Sequence, residues 1–266
     1  MGTVKLDISA IVVGFNEAHL LERCLESIQF CKEINYFDLQ SYDNSIAIAK
    51  QYGANIMIHE RVPGCEWIHA KYATKTKYNW VLISDPDEVI DIELSNELVY
   101  LFNNNRIGAS IGAIYVPWIF YFQKRRLKGT PWGGINKRVL IVHNQRFSFS
   151  ANVHVGRQLK EEYTMIDIPF NDINCIHHYW MQGWGKLIEK HKRYLNHEGQ
   201  SKYNIGERTK LSRLVFKPFN SFWFSFINRR GYKDGMLGLF LSFFWAWYQT
   251  NAELRLLKFQ QKMAKP

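Results

Sequence analysis

The chain of 266 residues has no C-x-x-C pair, no glycine-rich phosphate loop and no apolar run of spanning length. Each absence removes a class of protein. Cys24, Cys31, Cys65 and Cys175 follow no regular framework. They read as reduced thiols of a cytosolic protein, not as a disulfide scaffold or a zinc site. Without G-x-G-x-x-G or G-x-x-x-x-G-K-[ST], dinucleotide and P-loop readings lack support. The start, Met1-Gly2-Thr3-Val4-Lys5, shows neither the basic nor the long apolar region of a signal peptide. The longest apolar run of the tail, Met236 to Tyr248, is 13 residues. A spanning helix needs about 20, so no membrane crossing is expected there.

What is present is a chain that folds. An apolar fraction of 47% rules out a disordered protein. Charge is unevenly placed. Residues 1–185 carry 18 Lys/Arg against 19 Asp/Glu, a net of −1; residues 186–266 carry 16 against 5, a net of +11. All the excess positive charge sits in the last third, which suggests an anionic partner for the tail and a different role for the front. We therefore expect a domain over 1–185 and a basic, aromatic-rich helical region over 186–266.

The front alternates strand and helix signals. Ile8 to Gly14 is β-branched and apolar, a buried strand. Asn16 is placed to cap a helix with Leu20, Leu21, Cys24, Leu25 and Ile28 on one face. Ile34 to Phe37 is a second strand ending at Asp38. Asp43 is placed to cap a helix that stops at Gly53. Asn55 to His59 is a third strand, 67–78 a helix, Trp80 to Ser84 a fourth strand, and Leu94–Phe102 another helix. The spacing predicts an α/β fold with a mostly parallel sheet and helices on both faces.

The fourth strand delivers Asp85-Pro86-Asp87-Glu88. Residues i and i+2 of extended backbone point the same way, so Asp85 and Asp87 converge. Two carboxylates suit Mg²⁺ or Mn²⁺ shared with substrate phosphates, and the carboxyl ends of strands are where open α/β sheets bind ligands. Solvated acids in a strand-end turn are the plain alternative.

Taken together, Gly14-Phe15-Asn16-Glu17, Asp38 with Ser41 and Asp43, and Asp85-Pro86-Asp87-Glu88 resemble a family 2 glycosyltransferase of GT-A (Rossmann-like) fold. The likeness is greatest to the lipopolysaccharide-core and capsule sugar transferases. In that branch the second strand typically ends in V-D-S-G-S-x-D and the fourth in L-D-A-D-E. Here the glycine of the second motif is absent, but both aspartates remain. His177-His178-Tyr179, the basic helix after it, and Arg229-Arg230-Gly231-Tyr232-Lys233-Asp234-Gly235 extend the resemblance over most of 7–250.

The resemblance implies inverting transfer of a sugar from a nucleotide-diphosphate donor, a UDP-sugar by family habit. Phe15, Asn16, Glu17 and Asp38 would hold the nucleoside, with Asp85 near the ribose. Asp87 would bind Mn²⁺ or Mg²⁺, with His177 or, in the better-matched position, His178 completing the shell. Lys71 would contact the diphosphate. Where relatives carry an H-E pair whose glutamate is the base, this chain has His154-Val155. Val155 accepts no proton, so His154 and Glu88 are the candidates for the base.

The tail interleaves Phe216, Phe219, Phe222, Trp223, Phe224, Phe226 and Ile227 with Lys217, Arg229, Arg230 and Lys233. That pattern suits helices lying on an anionic membrane surface, and equally a pair of buried helices. A lipid-linked saccharide acceptor would give surface attachment a purpose, on the inner face of the cell membrane. Residues 115–135, aromatic and basic, read as an acceptor-side loop or hairpin. Three competing readings stand beside this one. A nucleotidyltransferase would need a basic triphosphate loop at the first strand. A degenerate transferase acting as a scaffold would explain Val155. A nucleic-acid partner has no recognition motif to support it.

Overall fold

The computed structural model describes residues 4–104, 106–151 and 157–264. They group into two compact units, residues 1–118 with 135–180, and residues 119–134 with 181–266.

The first unit opens as the alternation predicts. Strand β1 (Leu6–Gly14) leads to helix α1 (Ala18–Ser27), β2 (Cys31–Asp38), α2 (Ser45–Gln51), β3 (Asn55–Ile58), α3 (Glu66–Tyr72), β4 (Trp80–Ser84), the short β5 (Glu88–Ile90) and α4 (Ile92–Asn103). Strands β6 (Ile111–Phe122), β7 (Arg125–Arg126), β8 (Asn136–His143), β9 (Phe147–Phe149), β10 (Arg157–Leu159), β11 (Thr164–Asp167) and β12 (Ile176–Met181) follow. The main sheet runs β3-β2-β1-β4-β8-β6-β12-β5, with β11 and β7 also on β6. Its first four strands are parallel, while β8 joins β4 antiparallel, from Trp80↔His143 to Leu82↔Ile141. The β9–β10 hairpin forms a sheet of its own.

Strand β1 shows why the sheet sits where it does. Leu6, Ile8, Ala10 and Val12 enter one core with Leu21 and Leu25 of α1, Ile28 just after it, and Leu94 and Leu98 of α4. Ile11 and Val13 enter the core on the other face, with Ile68 of α3 and Val81 and Ile83 of β4. Successive side chains go to opposite faces, so a run apolar throughout is a strand buried on both sides. The order β2-β1-β4 brings the carboxyl ends of three parallel strands to one edge, where the chain direction reverses between neighbouring crossovers.

One helix start differs from expectation. Asn16 does not cap α1: it lies at φ +54°, and Glu17 occupies the cap position. The Ala18 amide donates instead to Asp43 Oδ2 at 3.0 Å, while Asp43 Oδ1 accepts from the Ser45 amide at 3.0 Å. One carboxylate thus satisfies the first turns of both α1 and α2, which sequence distance conceals.

The second unit holds α5 (Trp184–Asn204), α6 (Leu211–Trp223) and α7 (Met236–Met263), with a π turn at Phe224–Asn228 and a 3-10 turn at Gly231–Asp234. The apolar run at 236–248 is less than half of α7, which continues for 28 residues. Among the described residues no helix is long and apolar enough to cross a membrane. Residues 121–126 form a hairpin in this unit, with Tyr121↔Arg126 and Phe122↔Arg125. The R-R-G-x-x-D-G stretch holds this hairpin's far end in place. The buried Asp234 carboxylate accepts from the Lys128 and Gly129 amides at 3.0 and 2.7 Å. Arg125 donates to the Asp234 carbonyl at 2.9 Å. Gly129 has no room for a Cβ, because the Arg230 carbonyl lies against it.

Candidate functional site

Two residue clusters meet at the carboxyl edge of the parallel strands. The first is built on β1 and β2. Asp38, fully buried at the end of β2, accepts from the Ser41 amide at 2.8 Å and lies 3.4 Å from the Tyr36 hydroxyl. Ser41 in turn accepts from the Asn16 amide at 2.9 Å, and Asn16 Oδ1 accepts from the Tyr42 amide at 2.9 Å. The loops after β1 and β2 are therefore cross-braced by the residues that carry the sequence motifs. Phe15 packs edge-on to Tyr42 at 5.9 Å, and the Arg61 guanidinium lies over its ring at 3.2 Å. Glu17 is half-buried at the start of α1. A flat ring beside a braced polar turn is a surface that suits a nucleobase.

The second cluster is the turn after β4. The Glu88 amide donates to the Asp85 carbonyl at 3.0 Å, closing the turn. Asp85 is half-buried, and its carboxylate has no hydrogen bond or ion pair among the described residues. Asp87 is nearly buried, with Oδ2 3.2 Å from His178 Nε2 of β12, and its carbonyl accepts from the Tyr179 amide at 2.8 Å. His178 stacks flat on Trp118 with centroids 4.8 Å apart. His177, one residue earlier, faces Asp91 instead, at 2.8 Å. Gly14 joins the clusters: a Cβ there would lie 2.6 Å from the Tyr36 hydroxyl and 3.2 Å from Pro86.

Glu88 sits behind this turn with both oxygens engaged. Oε2 accepts from the Asp85 amide at 3.0 Å and the Ser84 hydroxyl at 3.2 Å, and Oε1 pairs with Arg138 of β8. Arg138 also donates to the Ile83 carbonyl at 2.9 Å. Burial raises the Glu88 carboxyl above its ordinary range against the pull of Arg138. For Arg138, burial pulls down, and the charges of Glu88 and Asp85 together with the hydrogen bond to Glu88 outweigh it, so the guanidinium stays charged. This geometry suits a support for the D-x-D turn better than a group that meets substrate. His154 lies outside the described residues. Lys71 is exposed, 3.3 Å from His59 Nε2.

The structure pairs Asp87 with His178, and separately gathers Phe15, Asn16, Glu17 and Asp38. Asp85 precedes Asp87 in a turn rather than in extended backbone, so the expected alignment of the two carboxylates on one strand face does not hold. Asp87 supplies a hard oxygen and His178 an imidazole, a pair that fits Mn²⁺.

Three residues went unnoticed in the sequence. Arg138 heads an apolar strand, where a buried charge signals a partner. The others have no local signal. Arg157 Nη1 and both ring nitrogens of His69 are buried without hydrogen-bond partners. Burial, with Arg157 and Arg138 adding to it, holds the His69 imidazole well below its ordinary pKa. Burial and Arg138 lower Arg157 as well, with Asp85 and Glu88 opposing. Buried donors without partners, of which the Arg157 guanidinium feels the charge of Asp85, are suited to an anionic group.

Known proteins resemble this chain. The family model described as glycosyl transferase family 2 matches residues 9–164. An uncharacterized glycosyltransferase of Rickettsia felis is 24% identical over 266 residues, covering 97% of this chain and 91% of its own. One of Rickettsia prowazekii is 25% identical, covering 97% and 88%. Among solved structures, a mannosyltransferase from Pyrobaculum calidifontis in complex with GDP-Man and Mn²⁺ is 16% identical and covers 98% of this chain and 76% of its own, with a TM-score of 0.48.

Proposed function

Because the chain belongs to glycosyl transferase family 2, and is a glycosyltransferase, we propose that it moves a sugar from a nucleotide-diphosphate donor, a UDP-sugar, to a lipid-linked saccharide with inversion. The acceptor belongs to bacterial surface-polysaccharide or lipopolysaccharide synthesis, and the enzyme works while docked on the inner face of the cell membrane. The observation that carries this reading is the pairing of Asp87 with His178 in the unit that also holds the braced loops of Asn16 and Asp38.

In this reading Phe15 and the Asn16–Ser41–Asp38 brace hold the nucleoside. Asp87 and His178 would hold Mn²⁺, with Asp85 near the ribose; the metal when bound would neutralise charge on the departing diphosphate. Arg157 supplies a further cation for that anion. Glu88 and Arg138 fix the turn so that both aspartates stay aimed, which is preorganisation rather than chemistry. Inversion needs a single in-line displacement, with the acceptor hydroxyl giving its proton to a base; His154 remains our candidate.

Membrane docking is supported by the second unit taken alone. Leu211, Val215, Phe219, Trp223 and Ile227 recur every fourth residue and all are exposed. Exposed apolar stripes flanked by cations suit the headgroup boundary of anionic lipid.

The test is turnover of a nucleotide-sugar panel with Mn²⁺, Mg²⁺ or EDTA, with Asp87→Ala as control. Metal-dependent release of nucleotide from one donor, reduced roughly 10²–10³-fold in Asp87→Ala, is expected. Failure to bind any nucleotide under every metal condition would sink the proposal.

A further inference from the structure

We propose that Asp91, Cys175 and His177 form a second metal site, of zinc type, separate from the Asp87/His178 pair. One ligand atom from each of the three lies within 4.8 Å of both others. His177 Nε2 is 2.8 Å from Asp91 Oδ1, Cys175 Sγ is 3.2 Å from Asp91 Oδ2, and Cys175 Sγ is 3.9 Å from His177 Nε2. Tetrahedral zinc with ordinary Zn–N, Zn–O and Zn–S bonds places neighbouring ligand atoms about 3.3–3.6 Å apart. The His177 and Cys175 contacts run to different oxygens of Asp91, so an ion taking one of them needs a small turn of that carboxylate, within a set whose ligand atoms already lie within 4.8 Å of one another.

Backbone pairing holds all three in place. Strands β5 and β12 pair antiparallel through Ile176↔Ile90 and His177↔Val89. The Asp91 amide donates to the Cys175 carbonyl at 3.0 Å, and the Cys175 amide returns a bond to Asp91 Oδ2 at 3.2 Å. Cys175 and His177 are two residues apart on extended backbone, so they share a face, while His178 goes to the other. Asp91 stands at the cap position of α4, where an aspartate ordinarily accepts from the helix amides. Its side chain makes no such bond and turns to Cys175 and His177. The usual structural duty of an aspartate in that place therefore does not account for its orientation.

The donor chemistry selects the ion. A thiolate, an imidazole and one carboxylate favour zinc over magnesium, whereas the D-x-D set is mostly hard oxygen. Cys175 is fully buried, and the Asp91 and His177 side chains are about a quarter exposed. Solvent can thus supply the fourth ligand. Uptake replaces the thiol S–H bond by S–Zn and releases that proton to solvent, along with any proton shared by His177 and Asp91. The ion would clasp the start of β12 to the end of β5, the same two strands that carry His178 and flank Asp87. No spacing rule could find this set, since Asp91 and Cys175 are 84 residues apart.

The test uses the full chain carrying Asp87→Ala, so that the first set is disabled and its failure or success is read separately. We expect about one zinc per chain to survive dialysis. Replacement by Co²⁺ should give a near-ultraviolet thiolate-to-cobalt band that Cys175→Ser abolishes and Cys24→Ser leaves intact. His177→Gln, which spares the thiol and serves if Cys175→Ser does not fold, should weaken Zn²⁺ binding about 10- to 100-fold. Absence of the thiolate band, its survival in Cys175→Ser, or unchanged affinity in His177→Gln would overturn the proposal.

Discussion

The two units differ in sign of charge and in where their apolar residues sit. Cut at the unit boundaries, the first carries a net −5 and the second +15, because the hairpin residues 119–134 bring four cations and no acid. Of the 24 large apolar side chains exposed among the described residues, sixteen belong to the second unit, which is the smaller. In the first unit apolar residues fill both faces of a sheet and acids gather at its strand ends. In the second, Phe216, Phe219, Trp223 and other aromatics are exposed among lysines and arginines, while Trp132 and Tyr248 are buried. Apolar content alone therefore predicts little; burial and charge sign together separate a unit with acids at its strand ends from a basic one with exposed apolar side chains.

Buried charge gives the sharpest contrast between them. Arg138 and Glu88 in the first unit are both enclosed, so Arg138→Leu leaves an uncompensated acid and should destabilise by about 3–5 kcal/mol. The double variant Arg138→Leu/Glu88→Leu should recover most of that. In the second unit Glu253 is shared by Lys217 at 3.2 Å and Arg213 at 3.4 Å, with Thr209 donating as well. Lys217→Met should lose only about 1–2 kcal/mol, since other partners remain. Urea unfolding of the variants measures both. Equal losses would break the contrast.

The exposed stripe of α6 provides the next largest effect. Phe216, Phe219 and Trp223 are 60–72% exposed, so replacing all three with Ser should barely change folding. Binding to vesicles containing anionic lipid should fall roughly 10²-fold, as buried apolar area is lost from the interface. Co-sedimentation reads this directly. Unchanged binding would mean that cations alone hold the second unit to lipid, and higher salt would then release it.

Legibility followed the same division. The strands of the parallel half, and the D-x-D turn, were readable because a doubly buried strand is apolar throughout and β4 runs from Trp80 to Ser84 as expected. The cap of α1 was not, because Asp43 reaches it from another loop. Arg138, His69 and Arg157 act through partners far away in sequence, and no periodicity encodes those. In the tail, composition indicated helices but not that α7 would run 28 residues, since its second half is polar and continues the helix by propensity.

A smaller effect should appear as pH dependence. The folded pKa of His69 is depressed, so the unfolded chain takes up a proton that the folded chain refuses. Stability is then full above the ordinary histidine pKa and declines as pH falls through about 6.5, by up to about 1.4 kcal/mol per unit. His69→Leu should flatten this slope between about pH 7 and 5.5 in urea unfolding. Carboxylates contribute to both the parent and the variant, so the difference in slope is the quantity to compare. The second unit offers a case of the same sign in a lower pH window, Glu253. Burial pushes its carboxyl up, but the Thr209 hydroxyl and Lys217 outweigh burial and hold it below its ordinary 4.5. Its contribution is present above that value and is lost as pH falls towards the lower folded pKa. Glu253→Gln should therefore leave the slope between about pH 7 and 5.5 as it was.

The smallest effect concerns backbone conformation. The second motif lacks its glycine, yet Gln40, which stands in that place, keeps the left-handed backbone at φ +62°. A side chain there costs about 1–2 kcal/mol, and glycine's greater unfolded-state freedom returns part of the gain. Gln40→Gly should therefore stabilise by about 0.5–1 kcal/mol while leaving the Asp38–Ser41 brace intact. Arg230 in the second unit has the same geometry at φ +55° and is exposed. Arg230→Gly should stabilise by a similar amount, but it removes a cation from the more basic unit and so should weaken binding to anionic vesicles. Gln40→Gly should not. If both substitutions altered vesicle binding equally, the assignment of lipid contact to the second unit would fail, because backbone relief is common to the two and charge is not.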